Sequence, residues 1–143
     1  MTLIGIERNY LVAQRHGRLA TVAPDGTPQN KPVGFHYNAQ LGTVDVYGHG
    51  METSAKFRNV QTNPNVALVV DDVVSEGMFG VRFLEIRGRA ETMSEPTAPK
   101  DLSTWLIRIH PRRVIGWNVD PDHPGLHTRD IATSGPNTTG AGR

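Results

Sequence analysis

The stretch "GHGMETSAKFRNVQTNPNVALVVDD", residues 48–72, decides how this chain is read. Its second half, Val66 to Val70, is unbroken apolar sequence, the pattern of a strand covered on both faces. Asn63-Pro64 stops whatever precedes that strand, and a short helix starting near Thr53 or Ser54 fits the space. The first turn of such a helix has backbone N–H groups without partners, and its dipole favours negative charge there. Gly48 and Gly50 permit close approach to the backbone just upstream. Ser54 and Arg58, four apart, share a helix face, whereas Lys56 falls on roughly the opposite side. All three therefore cannot grip one anion from a regular helix. Two readings stay open on local chemistry: a cradle of Ser54 plus one cation, or a Ser-capped surface helix with two solvated cations. Phe57 and Val60 form the side that packs on the body of the protein.

Working outward, the spacing of Tyr10, Leu11 and Gln14 predicts a short helix within Glu7–His16, ending near Gly17. "RLATVAPDGTPQ" (18–29) reads as a strand, a turn at Asp25-Gly26 and the start of an antiparallel partner. In "KPVGFHYN" (31–38), Lys31, Val33, Phe35 and Tyr37 share one face, and Pro32, Gly34 and His36 the other. Pro32 cannot donate a ladder hydrogen bond, so it marks an edge, a bulge or a place where something other than a strand lies alongside. "GTVDVYG" (42–48) sets Val44 and Val46 against Asp45 and Tyr47. "VRFLEIRGRAE" (81–91) is a long strand in which Gly88 allows a bend. "TWLIRIHPRRVIGWNV" (104–119) holds two strand segments broken at His110-Pro111. Six or seven short strands, one helix at the start and one between the third and fourth strands indicate a mainly β antiparallel barrel. The expected division is one domain over 1–119, followed by a flexible C-terminal tail over 120–143, rich in Gly, Pro, Ser and Thr.

Composition narrows the function. The 143 residues carry 15 Lys+Arg against 14 Asp+Glu, which lacks the basic excess of a nucleic-acid binder. There is no cysteine, so disulfide frameworks, thiolate metal sites and cysteine nucleophiles are excluded. No apolar run approaches the ~18 residues of a membrane span, and the N-terminal stretch has no apolar core of signal-peptide length. The expectation is a soluble, cytoplasmic protein with neither a nucleic-acid nor a membrane partner.

Taken together, "GRLATVAPDGTPQNKPVGFHYN", "GTVDVYGHGMETSAKFRNVQTNPNVALVVDD" and "LEIRGRAE" resemble the split-barrel flavin- and deazaflavin-binding superfamily typified by pyridoxamine 5′-phosphate oxidase. The chain is most similar to its branch of probable F420-dependent enzymes. The resemblance runs from residue 7 to about 119, and its most specific piece is Ser54-x-Lys56-x-x-Asn59-Val60 followed by Asn63-Pro64. It implies a homodimer of six-stranded antiparallel split β-barrels with two short helices, the cofactor lying in a groove between subunits. It also implies that the cofactor's phosphate is held near Ser54 and Lys56, with Asn59 in the same motif and Arg58 peripheral. Lys31, Pro32, Val33 and Gly34 would run along the ring system, and Gly48, His49, Gly50 and Met51 would border the site. Trp117 is a candidate to reach the partner's cofactor.

The chain lacks the longer C-terminal region with which pyridoxamine 5′-phosphate oxidase grips its substrate, so that reaction is not expected. The expected cofactor is the deazaflavin coenzyme F420, with FMN as the alternative, and the expected activity is hydride transfer to an unsaturated or quinone-like small molecule. A third reading, from another class, is a cofactor- or haem-binding protein without turnover. F420 carries an acidic oligoglutamate tail, which Arg87, Arg89, Arg112 and Arg113 could meet, although ordinary exposed strand charge is the favoured reading of each one alone. His36, His49 and His110 are candidates for substrate protonation, set against the plain reading of exposed strand or loop histidines. His123 and His127 are four apart but lie in the Gly/Pro-rich tail, so no metal site is expected.

Overall fold

A computed structural model describes residues 2–96 and 101–132. Helix α1 (Gly5–Val12) leads into β1 (Gly17–Val22), β2 (Pro28–Asn38) and β3 (Thr43–Tyr47). A 3-10 turn (Met51–Thr53) precedes α2 (Ala55–Thr62); β4 (Asn65–Val73), a second 3-10 turn (Met78–Gly80), β5 (Val81–Ser94), β6 (Trp105–Trp117) and β7 (Leu126–Asp130) follow. The sheet order is β3-β2-β1-β4-β5-β6-β7, and β3 also pairs with β6. That last pairing closes strands β1 to β6 into the expected six-stranded antiparallel barrel.

The β1–β2 turn forms as the Asp25-Gly26 signal predicts. Gly26 takes φ +89°, and Asp25 Oδ1 accepts the Thr27 N–H at 3.0 Å. The ladder then sets Thr21 opposite Gln29 and Leu19 opposite Lys31. β2 pairs with β1 through Val33 and with β3 only from Gly34 onward. Pro32 therefore sits where one edge of β2 has no strand partner among the described residues, as its missing N–H requires.

β4 departs from the expectation of burial on both faces. Val66, Leu68 and Val70 are buried, whereas Ala67 and Val69 are half-buried. Asp45 departs in the other direction: it is 1% exposed and meets Arg108, its ladder neighbour on β6, through two hydrogen bonds of 3.0 and 2.9 Å. Barrel closure by β3–β6 removes both charges from water together.

Two strand segments were expected around His110-Pro111, but β6 is continuous. The ladder with β5 shifts register between Arg87 and Gly88, skipping Arg112, so Pro111 falls at a bulge that tolerates its missing donor. Gly88 is required there, since a Cβ would lie 2.4 Å from the His110 carbonyl oxygen.

The expected tail from residue 120 is also corrected in part. β7 pairs with β6 over Arg113–Trp117, the part of that edge left free by β3. Arg129 fastens it to the N-terminus, donating from Nε to Glu7 at 3.0 Å and from Nη2 to the Thr2 carbonyl at 2.8 Å. The end of the expected tail, 133–143, lies outside the described residues.

Candidate functional site

The site is built around the start of α2. Ser54 takes an extended conformation and caps the helix, its Oγ accepting the Phe57 N–H at 3.4 Å while donating to the Met51 carbonyl at 2.7 Å. The hydroxyl is thus used within the turn. Arg58 Nη1 donates to the Thr53 carbonyl at 2.8 Å, which turns Arg58 back along its own turn. Phe57 and Val60 are buried, Phe57 with its ring edge-on to Trp105 at 5.8 Å.

Beside the cap is a cavity of about 300 Å³. Its walls are Leu19 and Thr21 of β1, Gln29, Lys31 and Pro32 of β2, and Ser54, Ala55 and Lys56 at the head of α2. Two of these residues are cations, and none is acidic. Burial, and then the nearby Lys31 charge, hold the Lys56 ammonium below the usual lysine range. Two ammonium groups brought together without a counter-charge make a field that a bound anion relieves.

The structure thus brings together four of the residues expected at the site: Lys31, Pro32, Ser54 and Lys56. Asn59 is 5% exposed and stands behind the wall, its Nδ2 donating to Thr21 Oγ1 at 3.0 Å and Gln29 Oε1 at 2.9 Å. Val33 and Met51 are core residues, 6% and 1% exposed, so any ring contact by Val33 is through its backbone. Gly34 is exposed, with open space where a Cβ would point. Gly48, His49 and Gly50 form the loop before the 3-10 turn; the Gly48 carbonyl accepts the Ser103 N–H at 3.1 Å, and Gly50 takes φ +56°. None of these three lines the cavity.

Sequence reasoning missed Thr21 and Gln29. A signal existed: counting the ladder outward from Asp25-Gly26 pairs them, on the face that carries Leu19 and Lys31.

A second, shallower cavity of about 550 Å³ lies across β1, β4, β5 and β6. Arg87, Arg89 and Arg112 line it, and Thr21 borders both cavities. Arg113 does not join them, because its Nη1 bonds Asp130 at 2.7 Å. A third cavity, about 390 Å³ under α1, is mostly apolar, and its one arginine, Arg129, is already engaged by Glu7.

No histidine lines the Lys31–Lys56 cavity. His110 Nε2 is 2.7 Å from Glu91, His123 Nδ1 is 3.1 Å from Asp120, and His36 and His49 are exposed. Trp117 stacks on Phe79 at 5.4 Å and donates to the Met78 carbonyl. Among the described residues, no group of three or more His, Asp or Glu could hold a metal ion, and no helix is long and apolar enough to cross a membrane.

Comparison with known proteins agrees with this architecture. The family described as pyridoxamine 5′-phosphate oxidase matches residues 8–133. A 5a,11a-dehydrotetracycline/5a,11a-dehydrooxytetracycline reductase of Streptomyces rimosus is 43% identical over 130 residues, covering 87% of this chain and 90% of that protein. A solved structure described as an F420 reductase is 26% identical, with a TM-score of 0.54 over 71% of this chain and 89% of that one. A haem-binding protein from Mycobacterium smegmatis shares the fold, with a TM-score of 0.68 at 12% identity, over 91% of this chain and 60% of that one.

Proposed function

Because the chain belongs to the pyridoxamine 5′-phosphate oxidase family, we propose that it is a reductase that carries coenzyme F420 and reduces an unsaturated or quinone-like small molecule. The observation that carries this reading is the cavity in which Lys31 and Lys56 meet without an acidic partner among the described residues. The residues fit a phosphate: Lys56 and Lys31 supply charge, the α2 N-terminus adds its dipole, and Ser54 keeps that helix end capped. The unpaired edge of β2 around Pro32 and the open space over Gly34 suit a flat ring.

When bound, the deazaflavin supplies hydride, a two-electron reductant that reacts poorly with oxygen. The protein's share is to bind, orient and exclude water. The reductase from S. rimosus is named for dehydro compounds, and its likeness to this chain supports an unsaturated substrate. FMN, which also bears a phosphate, is the alternative. The adjoining cavity favours F420, whose acidic tail gives Arg89 and Arg112 a partner, while Arg87 is already paired with Glu85 at 3.0 Å. The assembly we propose is a homodimer, supported by the exposed apolar residues Val73, Val74, Met78, Phe79 and Leu126.

Titrating apo-protein with F420 and with FMN tests the assignment. Tighter binding of F420, with its reduced form oxidised in the presence of an enone or quinone, is expected. Preference for FMN would replace the cofactor, and binding without turnover across quinones, tetrapyrroles and enones would reduce the protein to a carrier.

A further inference from the structure

The hydrogen bonds of Asn59 arrange the cavity wall with its donors outward. Its Nδ2 donates to Thr21 Oγ1 at 3.0 Å and to Gln29 Oε1 at 2.9 Å. A hydroxyl whose oxygen already accepts keeps its own hydrogen to give, and a glutamine whose oxygen is taken presents its NH2. Thr21 and Gln29 are ladder partners, one step along from the Leu19–Lys31 pair, and both line the cavity with the two lysines. Turning the Gln29 amide over would set its NH2 against the Asn59 NH2. That exchange alone loses a hydrogen bond where Asn59 is only 5% exposed. Turning both amides over together keeps the two bonds and presents acceptors, so an anion seated against Lys31 and Lys56 selects the arrangement with donors toward it.

We propose that Gln29 and Thr21 are ligand-contacting donors, and that Asn59 is a positioning residue that holds them in donor orientation. Resting on the reading of this cavity as the cofactor's phosphate site, the wall then offers two ammonium groups, a hydroxyl hydrogen and an amide NH2. Such a set matches a group that only accepts, the phosphate oxyanion of a mono- or diester, and disfavours a ligand that presents its own donors there. Asn59 therefore acts on the ligand through Gln29 and Thr21, and its own amide hydrogens never reach the ligand.

The test is F420 titration of the purified protein and of Gln29→Glu, with Lys56→Ala as the control on the site. Glutamate keeps one oxygen for Asn59 and puts a second where the NH2 was, so affinity is expected to fall by about tenfold or more. Asn59→Asp, whose carboxylate only accepts and so draws the Gln29 NH2 and the Thr21 hydroxyl hydrogen onto itself, is expected to weaken binding similarly. In the wild-type protein the 15N side-chain amide signal of Gln29 should shift on saturation with F420, a readout that a merely structural role would not move. Gln29→Glu binding within about twofold of wild type while Lys56→Ala is weakened would overturn this proposal and leave the phosphate site standing. An unmoved Gln29 amide signal at saturation would overturn it equally. Unchanged affinity in both variants would remove the phosphate site, and this proposal with it.

Discussion

At the scale of single residues, two cations in different surroundings behave oppositely. Arg108 is buried with its charge matched, and Asp45 also accepts from Thr43 Oγ1 at 2.9 Å. Arg108→Leu strands a buried carboxylate and is expected to cost about 3–5 kcal/mol in urea unfolding. Replacing both partners, Asp45→Leu with Arg108→Leu, should recover most of that loss, because no charge is then left unpaired. Lys56 is only half-buried and faces another cation. Its pKa is lowered by burial and then by Lys31, so the fold disfavours its charged form. An anion placed between the two lysines reverses that preference, and binding draws a proton onto Lys56 over the interval between its lowered free pKa and its higher bound one. F420 affinity should therefore fall as pH rises through that interval, the fall beginning below the range where an ordinary lysine titrates. Lys56→Met should bind more weakly with a flatter pH profile, measured by fluorescence titration at several pH values.

Among the elements, the clearest prediction concerns the bulge. Gly88→Ala places a methyl 2.4 Å from the His110 carbonyl oxygen, which must move, and a loss of about 1–3 kcal/mol is expected by chemical denaturation. Arg129→Ala should release α1 from β7, and amide exchange in Gly5–Val12 should quicken while that in β4 is unchanged. The β1–β2 hairpin, α2 and β4 were legible in the sequence because each carries a local signal: Asp25-Gly26, Ser54 with Asn63-Pro64, and the apolar run from Val66. β7 was not, because four of the five residues of "LHTRD" are exposed and its order comes from the free edge of β6 and from Arg129. The continuity of β6 was hidden for a related reason. Pro111 reads as a break in isolation, and it is the register shift at Arg87 and Gly88 that makes room for it. At the site, Lys31, Ser54 and Lys56 were legible as chemistry, yet the convergence of Lys31 with Lys56 depends on α2 docking against β1 and β2. Ser54 is legible both as a cap and as part of a cradle, and in the structure its hydroxyl caps α2 while the residue lines the cavity.

At the scale of the whole molecule, closure by β3–β6 determines what the barrel offers. It buries Asp45 with Arg108, leaves the β2 edge near Pro32 unpaired, and sets the α2 cap beside Lys31. The apolar cluster of Val73, Val74, Met78 and Phe79 lies at the β4–β5 connection, held in place by the Phe79–Trp117 stack. Light scattering at micromolar concentration should give twice the chain mass, and Phe79→Asp should shift that mass toward the single chain. The central claim is that the cavity between Lys31 and Lys56 holds the phosphate of a deazaflavin. It is tested most directly by the F420 dissociation constants of the wild-type protein and Lys56→Ala, measured side by side. Removing one charge-assisted contact should weaken binding by about tenfold or more, with the thermal unfolding of the free protein little changed. Equal dissociation constants in the two proteins would contradict the account.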